Sequence, residues 1–415
     1  MREFRLHDIV LYFILVAIYM VSNYPVQAVI AYFARNIIFF LHLALDIAIK
    51  GYIEPLNAKD NVSQKGTLYQ HILTRVFRSF IERIHSFSKA DPSYSFVADE
   101  VWKRWFDIRS FVQCHNGVDL SRYENAPEGI WIRKNFRPEG DPVDLILIYV
   151  PNIAVFGSQP YIYLEYLATL HGLLMLQGFD NPAIIITKFP ENLSIQDYQQ
   201  HIEYLTEVWT NIKRNAPPDT QIVLYGDSIG ATLILSFLLA SASRQDLGKP
   251  AAAILVSPIP IWQLYHNTNL SRAANLDFVT GPAIENALRW CLPEKEIKDF
   301  GLSSISGVEL WKQSLPQKGV VITWGSDEYV SNEIENLGQL LSKCGRVKLW
   351  KRRDATHCWP IMSFLTEDSQ SEKEDSCFII AGIISRIALW DTPKYLDPVS
   401  LREPMNVLTI DDHHV

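Results

Sequence analysis

A serine flanked by glycines, between a strand pattern and a helix pattern, constrains the fold of this chain most. The apolar run Gln221–Tyr225 leads directly into Gly226–Gly230, which reads Gly-Asp-Ser-Ile-Gly, and the helical run Ala231–Ala242 follows. A turn this sharp forces Ser228 into a strained backbone conformation, and the glycines remove side chains that would collide there. The pattern predicts a nucleophile elbow, with Ser228 at a helix N-terminus that favours developing negative charge.

Strand and helix patterns alternate along most of the chain, which predicts an α/β fold with a mostly parallel central sheet flanked by helices. The predicted strands are Gly129–Arg133, Val143–Val150, Ala183–Phe189, Gln221–Tyr225, Ala252–Val256, Gly319–Trp324 and Val347–Lys351. The predicted helices are Tyr69–Phe87, Val101–Val112, Tyr161–Leu176, Asp197–Asn215, Ala231–Ala242, Glu333–Cys344 and Ser376–Trp390.

Four regions follow from this pattern. We expect an N-terminal membrane segment over residues 1–50, then a linker and N-terminal cap helices over 51–125. The α/β domain is expected over 126–390. Within it, residues 258–317 separate two core strands by more than a simple loop needs, and this predicts a helical cap insertion. An irregular tail is expected over 391–415.

The first region is almost entirely apolar from Ile9 to Ile30, which is about the ~20 residues that a bilayer span requires. Arg2 and Arg5 precede it, so we predict a signal-anchor and a lipid membrane as a partner. The shorter apolar stretch Asn36–Ile49 predicts an interfacial or membrane-dipping helix. The alternative is that both stretches are core helices packed on the domain.

Charge and cysteine content exclude other classes of function. The 415 residues carry a net charge of −8 and no basic block, so nucleic acid is not expected as a partner. The five cysteines form no C-x-x-C motif, so neither a metal site nor a cofactor is expected. Three glycosylation sequons, at Asn61, Asn192 and Asn269, favour a lumenal catalytic domain. The oligomeric state stays open.

A serine nucleophile needs a base, and the base needs an acid that holds it in the correct tautomer. Asp327 follows the predicted strand Gly319–Trp324, where the acid belongs, and Glu328 is its adjacent competitor. His357 follows the next predicted strand, where the base belongs. We therefore predict a triad of Ser228, Asp327 and His357, with Asp354 as a lesser alternative for the acid.

These motifs resemble the hormone-sensitive-lipase-like branch of the α/β-hydrolases over about residues 125–390. The stretches that carry the resemblance are Gly226–Gly230, Leu255–Pro258, Ser271–Asp277, Trp324–Glu328 and Thr356–His357. More narrowly, the chain is similar to fungal steryl acetyl hydrolases, which are membrane-anchored enzymes of the secretory pathway. The resemblance implies a location in the endoplasmic reticulum membrane and a hydrophobic acetate, such as an acetylated sterol, as substrate.

One departure from that branch affects the oxyanion hole. The branch carries His-Gly-Gly-Gly after its third strand, whereas this chain has Val150–Ile153, in which Pro151 has no N–H to donate. The expected donors are the backbone N–H groups of Asn152, Ile153 and Ile229. Loss of one such donor typically lowers the rate ~10²–10³-fold.

The preferred hypothesis is therefore a membrane-anchored serine ester hydrolase that deacetylates steryl esters or similar hydrophobic acetates. Two alternatives remain. One is a general short-chain carboxylesterase or lipase. The other is a catalytically weak, lipid-binding pseudo-hydrolase, in which the altered loop has removed the oxyanion hole.

Overall fold

The structure is a computed structural model. It describes residues 6–48, 98–113, 123–133, 142–152, 160–190, 198–242, 246–261, 277–281, 305–366, 370–389 and 408–409, together with residues 74, 77, 78, 81, 244, 283 and 284. The predicted helix Tyr69–Phe87 and the three sequons lie almost entirely outside these residues.

A twisted sheet forms the centre of the molecule. Its strands are β1 Tyr123–Ala126, β2 Gly129–Arg133, β3 Leu145–Val150, β4 Pro182–Thr187, β5 Gln221–Asp227, β6 Ala252–Val256, β7 Val320–Gly325, β8 Val347–Arg352 and β9 Leu408–Thr409. They lie in the order β1-β2-β4-β3-β5-β6-β7-β8-β9. The β1–β2 and β2–β4 pairs are antiparallel, and all the others are parallel.

Helices cover the sheet. They are α1 Leu6–Asn23, α2 Val26–Ala48, α3 Asp99–Gln113, α4 Leu164–Leu176, α5 Tyr198–Asn215, α6 Ile229–Ala242, α7 Ile305–Ser314, α8 Ser331–Ser342, α9 Trp359–Thr366 and α10 Gln370–Ala388. A 3₁₀ turn, Pro160–Tyr163, precedes α4. The mostly parallel α/β architecture that the sequence predicts is thus confirmed.

The buried core explains why the strand predictions succeed. Strands β3, β4 and β6 are buried at every position, and each reads as a continuous apolar run, as parallel strands covered on both faces do. Helix α6 is apolar on all sides and is buried along nearly its whole length. The strand that ends at Ser228 and the helix that begins there are therefore both fixed inside the core.

The apolar stretch predicted to be a bilayer span is not one continuous helix. Pro25 cannot donate a backbone hydrogen bond, and the apolar stretch divides there into α1 and α2. Val16 and Met20 of α1 are buried in a cluster with Val101 of α3. Among the helices of the described residues, none combines the length and the apolar character needed to cross a membrane.

Two segments differ from their expected roles. Helix α7, at the end of the predicted cap insertion 258–317, packs against α6 at the side of the core. Residues Leu408–Thr409 of the predicted irregular tail form strand β9, which pairs with β8. Strand β1 and helix α9 lie where the sequence pattern predicts no regular element.

Candidate active site

The turn between β5 and α6 has the geometry of a nucleophile elbow. Ser228 has a φ of +51°, a left-handed conformation that a non-glycine residue adopts only where its surroundings enforce it. Its N–H donates to the carbonyl of Val256, with 2.8 Å between the atoms. A Cβ atom on Gly230 would collide with the carbonyl oxygen of Val150, and one on Gly226 would lie 2.9 Å from the same oxygen. Both glycines of the motif are thus required by close approach of the β3 backbone.

Hydrogen bonds join Ser228 to a buried histidine and a buried glutamate. His357 Nε2 lies 2.9 Å from Ser228 Oγ, and His357 Nδ1 lies 3.0 Å from Glu328 Oε2. A carboxylate only accepts, so Nδ1 carries the hydrogen and donates it to Glu328. Nε2 of the neutral ring then accepts from the Ser228 hydroxyl, which is the arrangement a general base requires.

The carboxylate that binds the imidazole is Glu328, not the predicted Asp327. Asp327 is half-buried; its carboxylate accepts a hydrogen bond from Ser326 Oγ at 2.8 Å, and its N–H donates to the carbonyl of Ala355. Glu328 is completely buried, and its Oε1 accepts from the Gly325 N–H, which turns the chain so that residue 328 faces the imidazole. Sequence position alone does not separate two adjacent carboxylates, because this turn decides which one points inward.

Three buried carboxylates surround His357 and favour its protonated form. Burial lowers the pKa of His357, but the hydrogen bond to Glu328 and the negative charges of Glu328, Asp277 and Asp227 raise it, and the net pKa lies above the usual 6.5. The imidazolium that forms when the ring accepts the serine proton is therefore stabilised where it arises.

The predicted oxyanion donors are arranged differently from expectation. The Asn152 N–H donates to Tyr163 Oη, 3.2 Å away. This predicted oxyanion donor thus already has an acceptor within the protein. Ile153 lies outside the described residues. Ile229 begins helix α6 directly after the nucleophile, where helical N–H groups have no partner within the helix.

A buried network that sequence reasoning missed fixes the end of β3. Asp227 accepts a hydrogen bond from Tyr149 Oη at 2.6 Å and a longer one from Tyr163 Oη at 3.4 Å. Burial raises the pKa of Asp227 to about 6, although both tyrosines, the charge of His357 and the Asn152 N–H act to lower it. The side chain before the nucleophile thus ties the elbow to the strand end. In the sequence, only the position of Asp227 directly before Ser228 in the glycine-flanked motif pointed to this network.

No group of three or more His, Cys, Asp and Glu residues in the described ranges is arranged to hold a metal ion. The polar side chains around Ser228 are instead bonded to one another. The chemistry that this arrangement supports directly is proton transfer from a serine hydroxyl to an imidazole, followed by nucleophilic attack.

Comparisons with known proteins agree with this architecture. Residues 188–361 match the family Abhydrolase_3, described as an alpha/beta hydrolase fold. The structure is similar to that of a mutant of the esterase rPPE, with a TM-score of 0.53 and 12% identity over 80% of this chain and 99% of that chain. A structure from an analysis of two fungal esterases from Rhizomucor miehei gives a similar result, with a TM-score of 0.52 and 16% identity over 76% of this chain and 97% of that chain.

A search of curated proteins gave no match. The family match spans the elbow and both loops that carry Glu328 and His357, and the solved structures share the architecture over most of the chain. The chain has an α/β-hydrolase fold.

Proposed function

We propose that this protein is a carboxylic ester hydrolase that uses Ser228 as nucleophile, His357 as general base and Glu328 as the acid that orients the base. The observation that carries the proposal is the continuous hydrogen-bonded chain through these three buried side chains, with 2.9 and 3.0 Å between the joined atoms. The esterase-type structures that share the fold support the same class of reaction.

The geometry assigns each step to an atom. His357 Nε2 takes the hydroxyl proton as Ser228 Oγ attacks the ester carbonyl, and Glu328 stabilises the resulting imidazolium. His357 then gives the proton to the leaving alcohol, and water repeats the sequence on the acyl-enzyme. The Ile229 N–H at the start of α6 supports the oxyanion, aided by the dipole of that helix.

The test is hydrolysis of a series of p-nitrophenyl esters with increasing acyl length by the full chain and by S228A. We expect S228A to lose nearly all activity, by about 10⁶-fold, because the nucleophile is absent. A fluorophosphonate probe should label the wild type and leave S228A unlabelled. Equal hydrolysis by both proteins, or no labelling of folded wild type, would overturn the proposal.

We propose further that the preferred substrates are acetates of hydrophobic alcohols, such as acetylated sterols. Support comes from the resemblance described above and from the aromatic surroundings of the base. The ring of Phe278 packs edge-on against His357 with centroids 5.8 Å apart, and Phe77 packs against Phe278 at 6.3 Å. Sterol acetate should therefore be hydrolysed with a higher kcat/KM than methyl acetate, whose alcohol is a comparably poor leaving group. The reverse ranking would favour a general short-chain carboxylesterase.

The N-terminal helices carry the proposed membrane contact, which is with a lipid surface. Large apolar side chains form an exposed stripe along both helices, made up of Ile14, Ile18, Val21, Val26, Ile30, Phe33, Ile37, Leu41 and Leu45. From Ile9 to Leu45 the sequence has no carboxylate, although the whole chain is acidic, and Arg35 is its one basic residue other than His42. A surface that lacks negative charge suits an anionic lipid interface, on which such a face lies in the plane.

Flotation with anionic liposomes tests this contact. A variant with Ile30 and Leu41 changed to Gln should float much less than wild type, whereas L176Q should not differ, because Leu176 is exposed at 78% outside the stripe. Unchanged flotation would exclude the lipid surface as the partner. A concentration-dependent dimer that the Ile30 and Leu41 substitutions dissociate would assign the stripe to a second copy of the chain.

We also propose a location at the endoplasmic reticulum membrane with a lumenal catalytic domain, supported by the sequons at Asn61, Asn192 and Asn269. Endoglycosidase treatment of the cellular protein should increase its gel mobility. Mobility that does not change would contradict a lumenal location.

A second candidate function is lipid-ester binding without turnover. The hydrogen bond from the Asn152 N–H to Tyr163 favours this second function, because a predicted oxyanion donor is already bound to another group. The fluorophosphonate probe separates the two functions: a binding protein would retain sterol acetate yet stay unlabelled at Ser228.

A further inference from the structure

Asp277 is a fully buried carboxylate that binds both loops of the proposed catalytic centre. It lies in the insertion after β6, far in sequence from either loop, and it is 0% exposed. Its Oδ1 accepts the N–H of His357 at 3.2 Å, and its Oδ2 accepts the N–H of Tyr329 at 3.0 Å. Tyr329 directly follows Glu328, so one side chain holds the backbone of the base and the backbone next to the acid.

A second bridge joins the same two loops from the other side. Ser257 Oγ accepts the N–H of Cys358 at 2.9 Å and donates to Glu328 Oε1 at 2.6 Å. The backbone N–H groups of residues 357 and 358 are thus each bound by a side chain that also binds the acid loop. Asp277 carries a negative charge and Ser257 does not. A substitution that removes only the charge can therefore distinguish the role of Asp277 from that of Ser257.

We propose that Asp277 is a positioning residue of this esterase: its two oxygens set the placement of His357 relative to Glu328, and its charge favours the imidazolium. This inference rests on the proposed function of Ser228. Asp277 acts through backbone atoms and through space, and it does not touch the reacting atoms.

The carboxylate of Asp277 lies among other charged groups that affect its pKa. His357 and Glu328 lie on the two loops that it joins, and Arg78 of the N-terminal region donates to its backbone carbonyl. Burial raises the pKa of Asp277 to about 6; the charge of His357 and the two N–H groups lower it, while the charge of Glu328 raises it. The carboxylate is consequently ionised at neutral pH, where His357 must accept a proton.

The variant D277N tests the proposal because it keeps the side-chain size and removes the charge. An amide has one acceptor oxygen, so one of the two N–H groups loses its acceptor. We expect kcat to fall by about 100-fold, as for displacement of a reacting group by about 1 Å, while KM changes little. The acid limb of the kcat/KM profile should move to lower pH, because one negative charge next to His357 is gone.

D354N is the matched control, since Asp354 is exposed in the same loop as His357 and the substitution removes the same charge. It should keep the wild-type kcat and pH profile. A D277N profile that coincides with that of D354N would overturn the proposal, as would a lower melting temperature with an unmoved acid limb. First-order rate constants for fluorophosphonate labelling supply the profile independently of how much of the variant folds.

D277E keeps the charge but lengthens the side chain, so its kcat should fall while its acid limb stays at the wild-type pH. Wild-type kcat in D277E would contradict the positioning role. S228A separates this inference from the proposed function. Activity retained in S228A rejects the esterase itself, whereas an inactive S228A with an unaffected D277N rejects only the role of Asp277.

Discussion

The two sides of Ser228 are built in opposite ways. On the proton side, formed by His357 and Glu328, the acid and the base are held to each other and to the nucleophile by direct hydrogen bonds. On the donor side, formed by the end of β3 and the start of α6, Pro151 has no N–H and the Asn152 N–H is bound to Tyr163. The groups for proton transfer are therefore already bonded to one another, whereas among the described residues only the helix start offers an N–H group for the oxyanion.

This difference follows from what each side requires. A proton relay needs side chains, and the loops after parallel strands bring such side chains to one sheet edge. An oxyanion hole needs backbone N–H groups that have no other acceptor, which a tight glycine loop supplies and a buried Asn152–Tyr163 bond does not. The comparison predicts large losses from substitutions on the proton side and smaller effects on the donor side.

The largest effect is expected for E328Q, which should lower kcat by about 10³–10⁴-fold because the amide no longer holds His357 in the reactive tautomer. D327N should stay within about twofold of wild type, since that side chain contacts Ser326 and not the imidazole. Steady-state kinetics on p-nitrophenyl acetate measure both. A D327N variant more damaged than E328Q would restore Asp327 as the acid.

The next largest effect is expected where the two sides meet, in G230A. Its Cβ would collide with the carbonyl oxygens of Val150 and Pro151, so the end of β3 must move. We expect the free energy of unfolding to fall by about 1–3 kcal/mol and kcat to fall by about 100-fold.

G172A is the control for G230A. Gly172 lies inside helix α4, and nothing lies within 4 Å of a Cβ added there. This variant should gain about 0.5–1 kcal/mol of stability, because alanine is the better helix former, and should keep wild-type kcat. Denaturant unfolding measures both variants. Equal stability changes in G230A and G172A would contradict close packing at the elbow.

A smaller effect is expected for Y163F, on the donor side. The substitution removes one acceptor of the Asn152 N–H and a weak donor to Asp227, both buried, so stability should fall by about 1–3 kcal/mol. Because this N–H is bound to Tyr163 in the wild type and is not a free oxyanion donor, kcat should change by less than about threefold, which is far below the usual effect of an oxyanion donor. A kcat loss of 100-fold with unchanged KM would mean that Tyr163 holds the donor side in its active form.

The sequence predicts the proton side better than the donor side. The choice of acid on the proton side and the bonding of Asn152 on the donor side were missed for different physical reasons. His357 and Ser228 could be placed because buried β-branched runs identify the strands, and the loops that follow them share one edge. Choosing Glu328 over Asp327 required the turn that the Gly325 N–H makes. Nothing in the local pattern indicates that the Asn152 N–H turns inward, because its acceptor belongs to a different segment.

Apolar content alone does not reveal how the N-terminal stretch is divided and packed. Hydropathy over Ile9–Ile30 resembles a span, but Pro25 divides it, and the face of α1 that carries Val16 and Met20 is buried on the domain. Burial of one face and exposure of the other depend on α3, whose packing partner the sequence does not reveal. The alternative of helices packed on the domain agrees with the burial of Val16 and Met20 in α1.

The smallest expected effect is a shift in the pH dependence of kcat/KM, which depends on the pKa of His357 on the proton side. His357 must be neutral to accept the serine proton, and its pKa is raised above 6.5, so kcat/KM should be low at acidic pH and rise as the pH increases through that pKa. In E328Q the lost hydrogen bond and charge lower the pKa, so the residual activity should persist to lower pH. Y163F should leave the acid limb in place, because the hydrogen bonds that it removes do not involve the imidazole. A limb that moves in Y163F but not in E328Q would mean that the donor side, through Asp227, controls the charge state of the base.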